Sequence, residues 1–258
     1  MPTFLETVVE RTQAGLAARM REVPAAELES RLGPVRRGRP FSEALIAEGI
    51  SLIAEMKRAS PSRGPIRPEA SVTEVVQAYQ RAGARAVSVL TESAYFGGSL
   101  DDLVEARAAC ELPLLRKDFV VDEYQLLEAR AAGADAVLLI VAALDPDRLG
   151  ALMGAASDLG MDSLVEVHDE DEVRVAVDAG AEVLGINNRD LHSLEVDLET
   201  TFRLLADVPA GTVVVSESGI TRSEDVESLE KAGVDAILVG EALMRSDDPV
   251  RAVRELLG

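Results

Sequence analysis

Residues 51–62 have the sequence SLIAEMKRASPS, in which an apolar run ends in charged residues and a turn. A short apolar run bounded by turn residues is typical of a buried strand. Because strand side chains alternate between two faces, Ile53, Glu55 and Lys57 point the same way. A carboxylate and an ammonium on a buried face are costly unless they are paired or used. The stretch therefore predicts a strand whose carboxyl end begins a functional site.

Lysine is rare in this chain, and the positions of its lysines are informative. Lys57 and Lys117 each follow an apolar run, Lys231 lies in a helical stretch, and the other basic side chains are arginines. A lysine can release its proton in a suitable environment, whereas an arginine effectively cannot. Lys57 and Lys117 are therefore candidates for proton transfer, with a structural ion pair as the alternative.

From Ser51 onward, apolar runs alternate with amphipathic stretches of helical spacing. The runs occupy residues 51–56, 86–90, 113–115, 136–141, 163–167, 183–186, 212–215 and 235–239. The helical stretches lie near residues 71–82, 100–109, 122–132, 145–159, 169–179, 197–206, 222–232 and 248–257. The pattern indicates eight strand–helix units.

Four helix–strand junctions carry nearly the same sequence. They are AGARAV at 82–87, AGADAV at 132–137, AGAEVL at 179–184 and AGVDAI at 232–237. Each is typical of a helix that ends at a left-handed glycine and leads into a buried strand. Since the junctions recur about every two units, they indicate an internal repeat.

Apolar strands joined by helical crossovers predict a parallel sheet that is covered on both faces. Eight such units fit an α/β fold, the (β/α)8 TIM barrel. A doubly wound open sheet is the alternative, but no glycine-rich fingerprint follows the first strand. We predict a single barrel domain over residues 1–258, with residues 1–48 as an N-terminal helical extension that is broken at Gly33-Pro34.

Composition and charge exclude several classes of function. A net charge of −20 argues against nucleic acid and anionic membranes as partners. Cys110 is the only cysteine, which excludes a disulfide framework and a thiolate zinc site. His168 and His192 lack metal-ligand spacing, so we predict no metal. The sequence contains neither a signal peptide nor a transmembrane run, and we expect a cytoplasmic protein.

In a barrel, function lies at the carboxyl ends of the strands. All the predicted strands except the fourth end in polar residues, which include Glu55, Lys57, Ser60, Glu92, Lys117, Asp118, Glu166, His168, Asn187, Arg189, Asp190, Glu217 and Glu241. Lys117 and Glu166 are candidates for acid–base work, because burial beside another charge can bring either pKa toward neutrality. A structural ion network at the barrel mouth is the alternative.

The ends of the last two predicted strands suggest a phosphate site. Ser218-Gly219 and Gly240-Glu241 can offer backbone N–H groups at the usual phosphate position of such barrels, and Lys57 can supply charge. Asn187 and Arg189 can hold a carboxylate or hydroxyls. We expect Asp118 and Asp190 to brace loops, while Glu92 either supports the site or caps a loop.

Six motifs, in order along the chain, resemble those of the indole-3-glycerol phosphate synthase family. They are AEMKRASPS at 54–62, PLLRKDF at 113–119, LVEVH at 164–168, GINNRDL at 185–191, VSESGI at 215–220 and LVGEALM at 238–244. The resemblance runs from about residue 40 to the end, and the first forty residues match only in being helical. Arg63 stands where a lysine is common.

The resemblance implies a lyase of tryptophan biosynthesis that needs no cofactor. Its substrate would be 1-(2-carboxyphenylamino)-1-deoxyribulose 5-phosphate, which undergoes ring closure, decarboxylation and dehydration to indole-3-glycerol phosphate. Lys117, with a lowered pKa, would be the general acid toward the ketone oxygen. Glu166 would transfer a proton during dehydration. Lys57 would serve phosphate binding and acid chemistry, and Glu55 would orient these groups.

The resemblance also implies further site residues. Asn187 and Glu217 would line the site, and Arg189 would lie near the anthranilate end. The remaining substrate-binding and phosphate-binding positions would be Ser60, Phe119, Ser218, Gly219, Gly240 and Glu241. The leading segment would close over the anthranilate ring. The partner would be the phosphorylated small molecule, and we expect a monomer.

Two other functions stay open at the level of the sequence. One is a Schiff-base aldolase that uses Lys117, since this fold also hosts aldolases. The other is a barrel that binds a sugar phosphate without turnover. The presence of both Lys117 and Glu166 disfavours the second.

Overall fold

The computed structural model describes residues 3–32, 40–190 and 193–258, which contain a closed barrel of eight parallel strands. The barrel strands are β1 Ser51–Met56, β2 Ala86–Leu90, β3 Leu114–Lys117, β4 Ala136–Ile140, β5 Asp162–Val167, β6 Val183–Asn187, β7 Val213–Glu217 and β8 Ala236–Val239. Neighbouring strands follow the chain order, and β1 pairs with both β2 and β8. The barrel prediction is confirmed, and the open-sheet alternative is wrong.

Helices surround the barrel and cover its ends. They are α1 Phe4–Glu22, α2 Ala25–Leu32, α3 Phe41–Leu45, α4 Val72–Ala82, α5 Ser93–Phe96, α6 Leu100–Ala109, α7 Glu123–Ala131, α8 Pro146–Asp158, α9 Glu170–Asp178, α10 Glu199–Leu204, α11 Ser223–Ala232, α12 Glu241–Met244 and α13 Pro249–Leu257. Short 3₁₀ turns occupy Val141–Ala143 and Leu205–Asp207. None of the helices in the described ranges is long and apolar enough to cross a membrane.

The predicted strand–helix alternation is confirmed, but three short elements were not anticipated. Helices α5 and α12 lie in the loops after β2 and β8, and a small hairpin pairs Ala59–Ser60 with Gly64–Pro65 after β1. Such short pieces lack the apolar periodicity that identifies longer elements. All three lie at the carboxyl end of the barrel, where loops carry the function of this fold.

The alternation of side chains along β1 divides the core into two layers. Leu52, Ala54 and Met56 pack outward in the layer shared with the surrounding helices. Ile53 packs inward with the barrel interior. Because the period is two, Glu55 follows Ile53 on the inner face, as predicted from the sequence.

Helix α3 closes the amino end of the barrel. Phe41 and Leu45 are fully buried and join the interior layer. The backbone N–H of Ser42 donates to Asp162 Oδ2 at 2.7 Å, which fixes the helix at the start of β5. Phe41 and Leu45 therefore fill the amino end of the barrel, and the cavity lies at the carboxyl ends of the strands.

Helix α1 lies against the opposite end. It begins in a capping box between Thr3 and Glu6, in which each residue satisfies a backbone N–H of the other. Leu5 and Val8 pack into the same apolar layer as Phe119, which follows β3. The helix is therefore anchored beside the barrel mouth.

The far end of α1 is also attached to the barrel. Arg19 Nε lies 2.8 Å from Glu128 Oε1 of α7. The hydroxyl of Tyr124 donates to the carbonyl of Val23 at 2.8 Å. The predicted break at Gly33-Pro34 and the residue His192 lie outside the described residues. The division of the domain at residue 48 stays a prediction.

Candidate active site

A cavity of about 520 Å³ opens at the carboxyl end of the barrel. Its lining includes all thirteen residues that the sequence predicted for the site: Glu55, Lys57, Ser60, Lys117, Phe119, Glu166, Asn187, Arg189, Glu217, Ser218, Gly219, Gly240 and Glu241. They come from six strand ends and meet only because the barrel closes. Their individual roles stay predictions.

Lys117 lies between two buried carboxylates. It ends β3, and its Nζ lies 3.0 Å from Glu166 Oε2 of β5 and 3.2 Å from Glu217 Oε2 of β7. Both glutamates are only 2% exposed. An ammonium and carboxylates this deeply buried are stabilised by one another, since water cannot solvate them.

The two carboxylates set the protonation state of Lys117. Burial lowers the pKa of Lys117, but the charges of Glu166 and Glu217 outweigh burial and raise it. Burial acts in the opposite direction on Glu166, and there the charges of Lys117 and His168 prevail and lower the pKa. The expectation that these two pKa values approach neutrality is therefore wrong, because each group gains opposite charge at contact distance.

Glu217 is the carboxyl whose pKa moves to neutrality. Burial raises its pKa, Lys117 opposes the rise, and the nearby charges of Glu166 and Glu55 add to it, which gives a value of about 7. Its Oε1 has no hydrogen-bond partner within the described ranges. A Cβ at position 185 would lie 2.3 Å from this oxygen, so Gly185 makes room for the carboxylate.

Glu55 and Lys57 form a second ion pair across the cavity wall. Lys57 Nζ lies 2.7 Å from Glu55 Oε1, and the hydroxyl of Ser88 donates to Glu55 Oε2 at 3.4 Å. A Cβ at position 240 would lie 2.4 Å from Glu55 Oε1. Gly240 therefore provides the space in which the Glu55 carboxylate lies.

The wall formed after β1, β7 and β8 has the features of an anion site. Ser60 Oγ is buried and has no hydrogen-bond partner in the part of the chain that is described. Ser218 and Gly219 form a tight turn with φ of 67° and 86°, and the first of these is costly for a residue with a side chain. The Glu241 carboxylate lies 3.3 Å from Arg63 Nε, and this ion pair holds the arginine beside the wall.

The loop after β6 covers another side of the cavity. The backbone N–H of Arg189 donates to Asn187 Oδ1 at 3.0 Å, and Arg189 Nη1 donates to the carbonyl of Leu194 at 2.9 Å. Asn188 Nδ2 donates to Ser216 Oγ at 3.0 Å and ties the loop to β7. Sequence reasoning did not assign a role to Asn188, whose contacts are all to distant parts of the chain.

The opposite end of the cavity is apolar and aromatic. Phe4 of α1 faces Phe119 with ring centroids 6.4 Å apart, and Phe96 faces Phe119 at 6.5 Å. Leu138 and Ile140 from β4 complete this wall. The leading segment was expected at this end of the site, but sequence reasoning did not single out Phe4, because helical periodicity does not show which residue of α1 reaches the cavity.

Three further polar strand ends, Asp118, Asp190 and Glu92, make contacts that hold loops in place. Asp118 Oδ2 accepts from Thr91 Oγ1 at 2.5 Å, and Asp190 Oδ1 accepts from the N–H of Ser193 at 2.6 Å. The expectation that these aspartates brace loops is confirmed. The Glu92 carboxylate accepts from three N–H groups at the start of α5, which decides in favour of a loop cap. In the described ranges, no cluster of three or more His, Cys, Asp or Glu is placed to hold a metal.

Comparison of the sequence with known proteins gives consistent matches. A family model described as indole-3-glycerol phosphate synthase matches residues 5–256. Indole-3-glycerol phosphate synthase 2 of Streptomyces coelicolor is 54% identical over 237 residues, which cover 92% of this chain and 91% of that protein. Indole-3-glycerol phosphate synthase of a Parafrankia species is 49% identical over 253 residues, or 98% of this chain and 94% of that protein.

Two of the solved structures that resemble this chain share its barrel fold. The 3-hexulose-6-phosphate synthase from Salmonella typhimurium superimposes with a TM-score of 0.63 at 16% identity, over 80% of this chain and 96% of that one. Thiamine phosphate pyrophosphorylase from Pyrococcus furiosus gives a TM-score of 0.60 at 21% identity, over 80% of this chain and 93% of that one. At such identities the likeness concerns the TIM-barrel fold and not the chemistry.

Proposed function

The chain belongs to the indole-3-glycerol phosphate synthase family, and we propose from that membership how its own residues carry out the reaction. The substrate is 1-(2-carboxyphenylamino)-1-deoxyribulose 5-phosphate. Ring closure, loss of carbon dioxide and loss of water convert it to indole-3-glycerol phosphate in tryptophan biosynthesis. The observation that carries the assignment is the burial of Lys117 between Glu166 and Glu217 at the floor of the cavity.

Lys117 is the general acid of the first step. A bond forms between the ring carbon that bears the carboxylate and the ketone carbon, and the ketone oxygen needs a proton as it becomes a hydroxyl. Because its two carboxylate neighbours raise the pKa of Lys117, the group enters the reaction protonated. General acids that are positioned in this way accelerate such steps by about 10² to 10⁴.

Decarboxylation follows from the charge that ring closure creates. The closed ring carries a cationic, iminium-like centre, which accepts the electron pair left when the bond to the carboxylate breaks. Carbon dioxide then leaves without an external electron sink. The chemistry therefore requires no cofactor.

Dehydration needs an acid for the departing hydroxyl and a base for a proton of the new ring. Glu166 serves as the base, since the lowered pKa of its carboxyl keeps it ionised. Glu217, with a pKa of about 7, lies 3.2 Å from Lys117 Nζ and can return a proton to it. Lys57, paired with Glu55, is the second available acid.

The two ends of the cavity match the two ends of the substrate. The aromatic wall that contains Phe119 receives the anthranilate ring, and Arg189 lies nearby for its carboxylate. The phosphate is held by Ser60, Lys57, Ser218, Gly219, Gly240 and Glu241, the last through its backbone. One chain supplies this whole lining, so we propose a monomer that binds a phosphorylated small molecule. A cytoplasmic location stays a prediction.

The Schiff-base aldolase is the weaker alternative. A lysine nucleophile must lose its proton first, and nucleophilic lysines have lowered pKa values. The raised pKa of Lys117 opposes this use. Borohydride trapping with a ketose phosphate would reveal a Schiff base if the alternative were correct.

The reaction is followed by the fluorescence of the product, since the chain contains no Trp. The wild type should produce indole emission from the carboxyphenylamino substrate, and Lys117→Ala should produce none. Emission from both proteins would support the assigned reaction but would indicate that Lys57, and not Lys117, is the acid. Silence from both would contradict the assignment.

A further inference from the structure

His168 follows β5 directly and lies behind Glu166. Among the described residues that line the cavity, Glu166 is present and His168 is not. His168 Nε2 lies 3.4 Å from Glu166 Oε1, and Nδ1 lies 2.9 Å from Glu172 Oε2 of α9. The same Glu172 oxygen accepts the backbone N–H of His168 at 2.8 Å. The imidazole is thus placed between two carboxylates, one at the reacting centre and one outside it.

The geometry determines the protonation of this ring. An ionised carboxylate can only accept, so a ring nitrogen is attracted to it only when that nitrogen carries a proton. Nδ1 hydrogen-bonds to Glu172, whereas the buried Nε2 makes no hydrogen bond in the described residues and lies 3.4 Å from Glu166 Oε1. The attraction to Glu166 is therefore that of an ion pair, which exists only for the imidazolium. Burial lowers the pKa of His168, but the contacts with Glu166 and Glu172 outweigh burial and raise it to about 10.

Glu172 is itself fixed in place. It belongs to the first turn of α9, where its backbone N–H donates to Asp169 Oδ1 at 2.9 Å. The beginning of a helix also favours negative charge. The Glu172 carboxylate therefore has a defined position and orients the imidazole ring of His168.

Each oxygen of Glu166 faces a different cation. Oε2 lies 3.0 Å from Lys117 Nζ, and Oε1 lies 3.4 Å from His168 Nε2. We propose that His168, held by Glu172, is a positioning residue that keeps Glu166 ionised and its Oε2 directed at Lys117. The inference rests on the base role proposed for Glu166. It adds to the site a residue that lies outside the cavity and makes no contact with the substrate.

The inference predicts a change in the pH profile with a definite sign. The charged groups that face Glu166 are Lys117 and His168, with Glu217 on the other side of Lys117. Loss of the imidazolium removes one of the two cations and raises the pKa of Glu166. Since a base must be ionised to act, the acid limb of kcat then moves to higher pH.

Two substitutions separate the two ring contacts. In His168→Asn the side-chain amide nitrogen replaces Nδ1, so the contact with Glu172 is kept and that with Glu166 is lost. In His168→Gln the amide nitrogen takes the place of Nε2 and faces Glu166 with a partial positive charge, but without the full charge of the imidazolium. We expect kcat at pH 7 to fall about tenfold or more in His168→Asn, because Oε2 of Glu166 is no longer held toward Lys117. Glu166 stays ionised at pH 7 in this variant, and the separate effect on its pKa moves the acid limb up by about one pH unit. His168→Gln should lose less.

The value of KM distinguishes positioning from substrate binding. It should stay within about twofold of wild type in both variants, because His168 does not line the cavity. Glu170→Gln is the matched control: it removes a carboxylate from the same turn of α9, where Glu170 Oε1 lies 3.2 Å from the exposed Arg203. It should leave kcat, KM and the pH profile unchanged. Glu172→Gln should move the acid limb in the same direction as His168→Asn.

Glu166→Gln is measured in parallel, and thermal unfolding shows that each variant is folded. If Glu166→Gln loses activity while His168→Asn keeps the wild-type acid limb and kcat, the inference is overturned and the role of Glu166 stands. If Glu166→Gln itself keeps full kcat, the proposed base role fails and the inference fails with it. The inference is also overturned if His168→Asn is folded and its KM rises by the same factor by which its kcat falls.

Discussion

The ammonium of Lys117 and the carboxylate of Glu166 lie 3.0 Å apart, although they come from strands that are not neighbours. Strand β4 runs between β3 and β5, and its inner residues Leu138 and Ile140 carry no charge. The ion pair therefore bridges β3 and β5 across the apolar end of β4. These apolar surroundings strengthen the electrostatic interaction. A proton on Lys117 is consequently held at one defined place in the cavity.

Replacement of Lys117 by arginine separates charge from proton transfer. Lys117→Arg keeps a cation between the two carboxylates, but arginine cannot give up its proton in the range in which proteins work. We expect kcat to fall by about 10² to 10⁴, with a much smaller change in KM. Indole fluorescence at saturating substrate measures kcat. Lys231→Arg, at an exposed lysine of α11, is the control and should behave as wild type. A Lys117→Arg enzyme with kcat within tenfold of wild type would contradict the acid role.

The raised pKa of Glu217 makes stability depend on pH in a window that can be calculated. Its ordinary pKa of 4.5 applies to the unfolded chain, and its pKa in the folded protein is about 7. As pH rises between these values the unfolded state loses its proton first, so the free energy of unfolding falls. Glu217→Gln has no such proton.

The difference in unfolding free energy between Glu217→Gln and wild type should therefore increase from about pH 4.5 to about pH 7 and then level off. One unit of pKa corresponds to about 1.4 kcal/mol, so the total change is on the order of a few kcal/mol. Urea unfolding at a series of pH values measures it. Glu224→Gln, at an exposed residue of α11, should give a constant difference. Parallel stability curves for Glu217→Gln and wild type would refute the raised pKa.

The barrel could be predicted from the sequence because the features that indicate it are local. The period of two along β1 places Ile53 and Glu55 on one face without knowledge of any other strand. The repeated glycine junctions mark where helices end and strands begin. Once eight such units close, the carboxyl ends must converge, which brings the polar strand ends together. The choice of site residues among them rested in part on the resemblance to the family.

Features that depend on partners distant in the chain could not be predicted. The direction of the pKa shift of Lys117 depends on Glu166 and Glu217, which approach it only in the closed barrel. The residues adjacent to Gly185 and Gly240 in the sequence do not reveal that these glycines make room for carboxylates from other strands. The arrival of Phe4 at the cavity depends on how α1 packs, and its helical periodicity does not specify that.

Glycine at position 240 should be required for the placement of Glu55. A Cβ in Gly240→Ala would lie 2.4 Å from Glu55 Oε1, so the carboxylate must move and its pairing with Lys57 must change. We expect kcat to fall about tenfold to a hundredfold, because a displacement of about 1 Å at a reacting centre can cost about a hundredfold. The protein should remain folded by thermal denaturation.

Gly150→Ala is the matched control for this substitution. Gly150 lies within α8, and a Cβ there would meet nothing within 4 Å. Alanine is favoured over glycine inside a helix, so this variant should gain about 0.5–1 kcal/mol of stability and keep its activity. Equal kcat in Gly240→Ala and Gly150→Ala would show that Glu55 tolerates displacement, contrary to its proposed orienting role.

Phe4 tests whether α1 takes part in substrate binding. Its ring packs edge-on against Tyr95 with centroids 5.0 Å apart and lines the aromatic wall of the cavity. Phe4→Ala removes apolar surface from that wall, and a loss of about 1.4 kcal/mol of binding corresponds to a tenfold rise in KM. We expect that rise with kcat changed far less, since Phe4 lies in the aromatic wall and has no titratable group. Met20→Ala truncates a side chain of the same helix that is 36% exposed and should leave KM unchanged. If Phe4→Ala and Met20→Ala have the same KM, α1 supports the barrel without contacting the substrate; if KM rises only for Phe4→Ala, the helix forms part of the binding site.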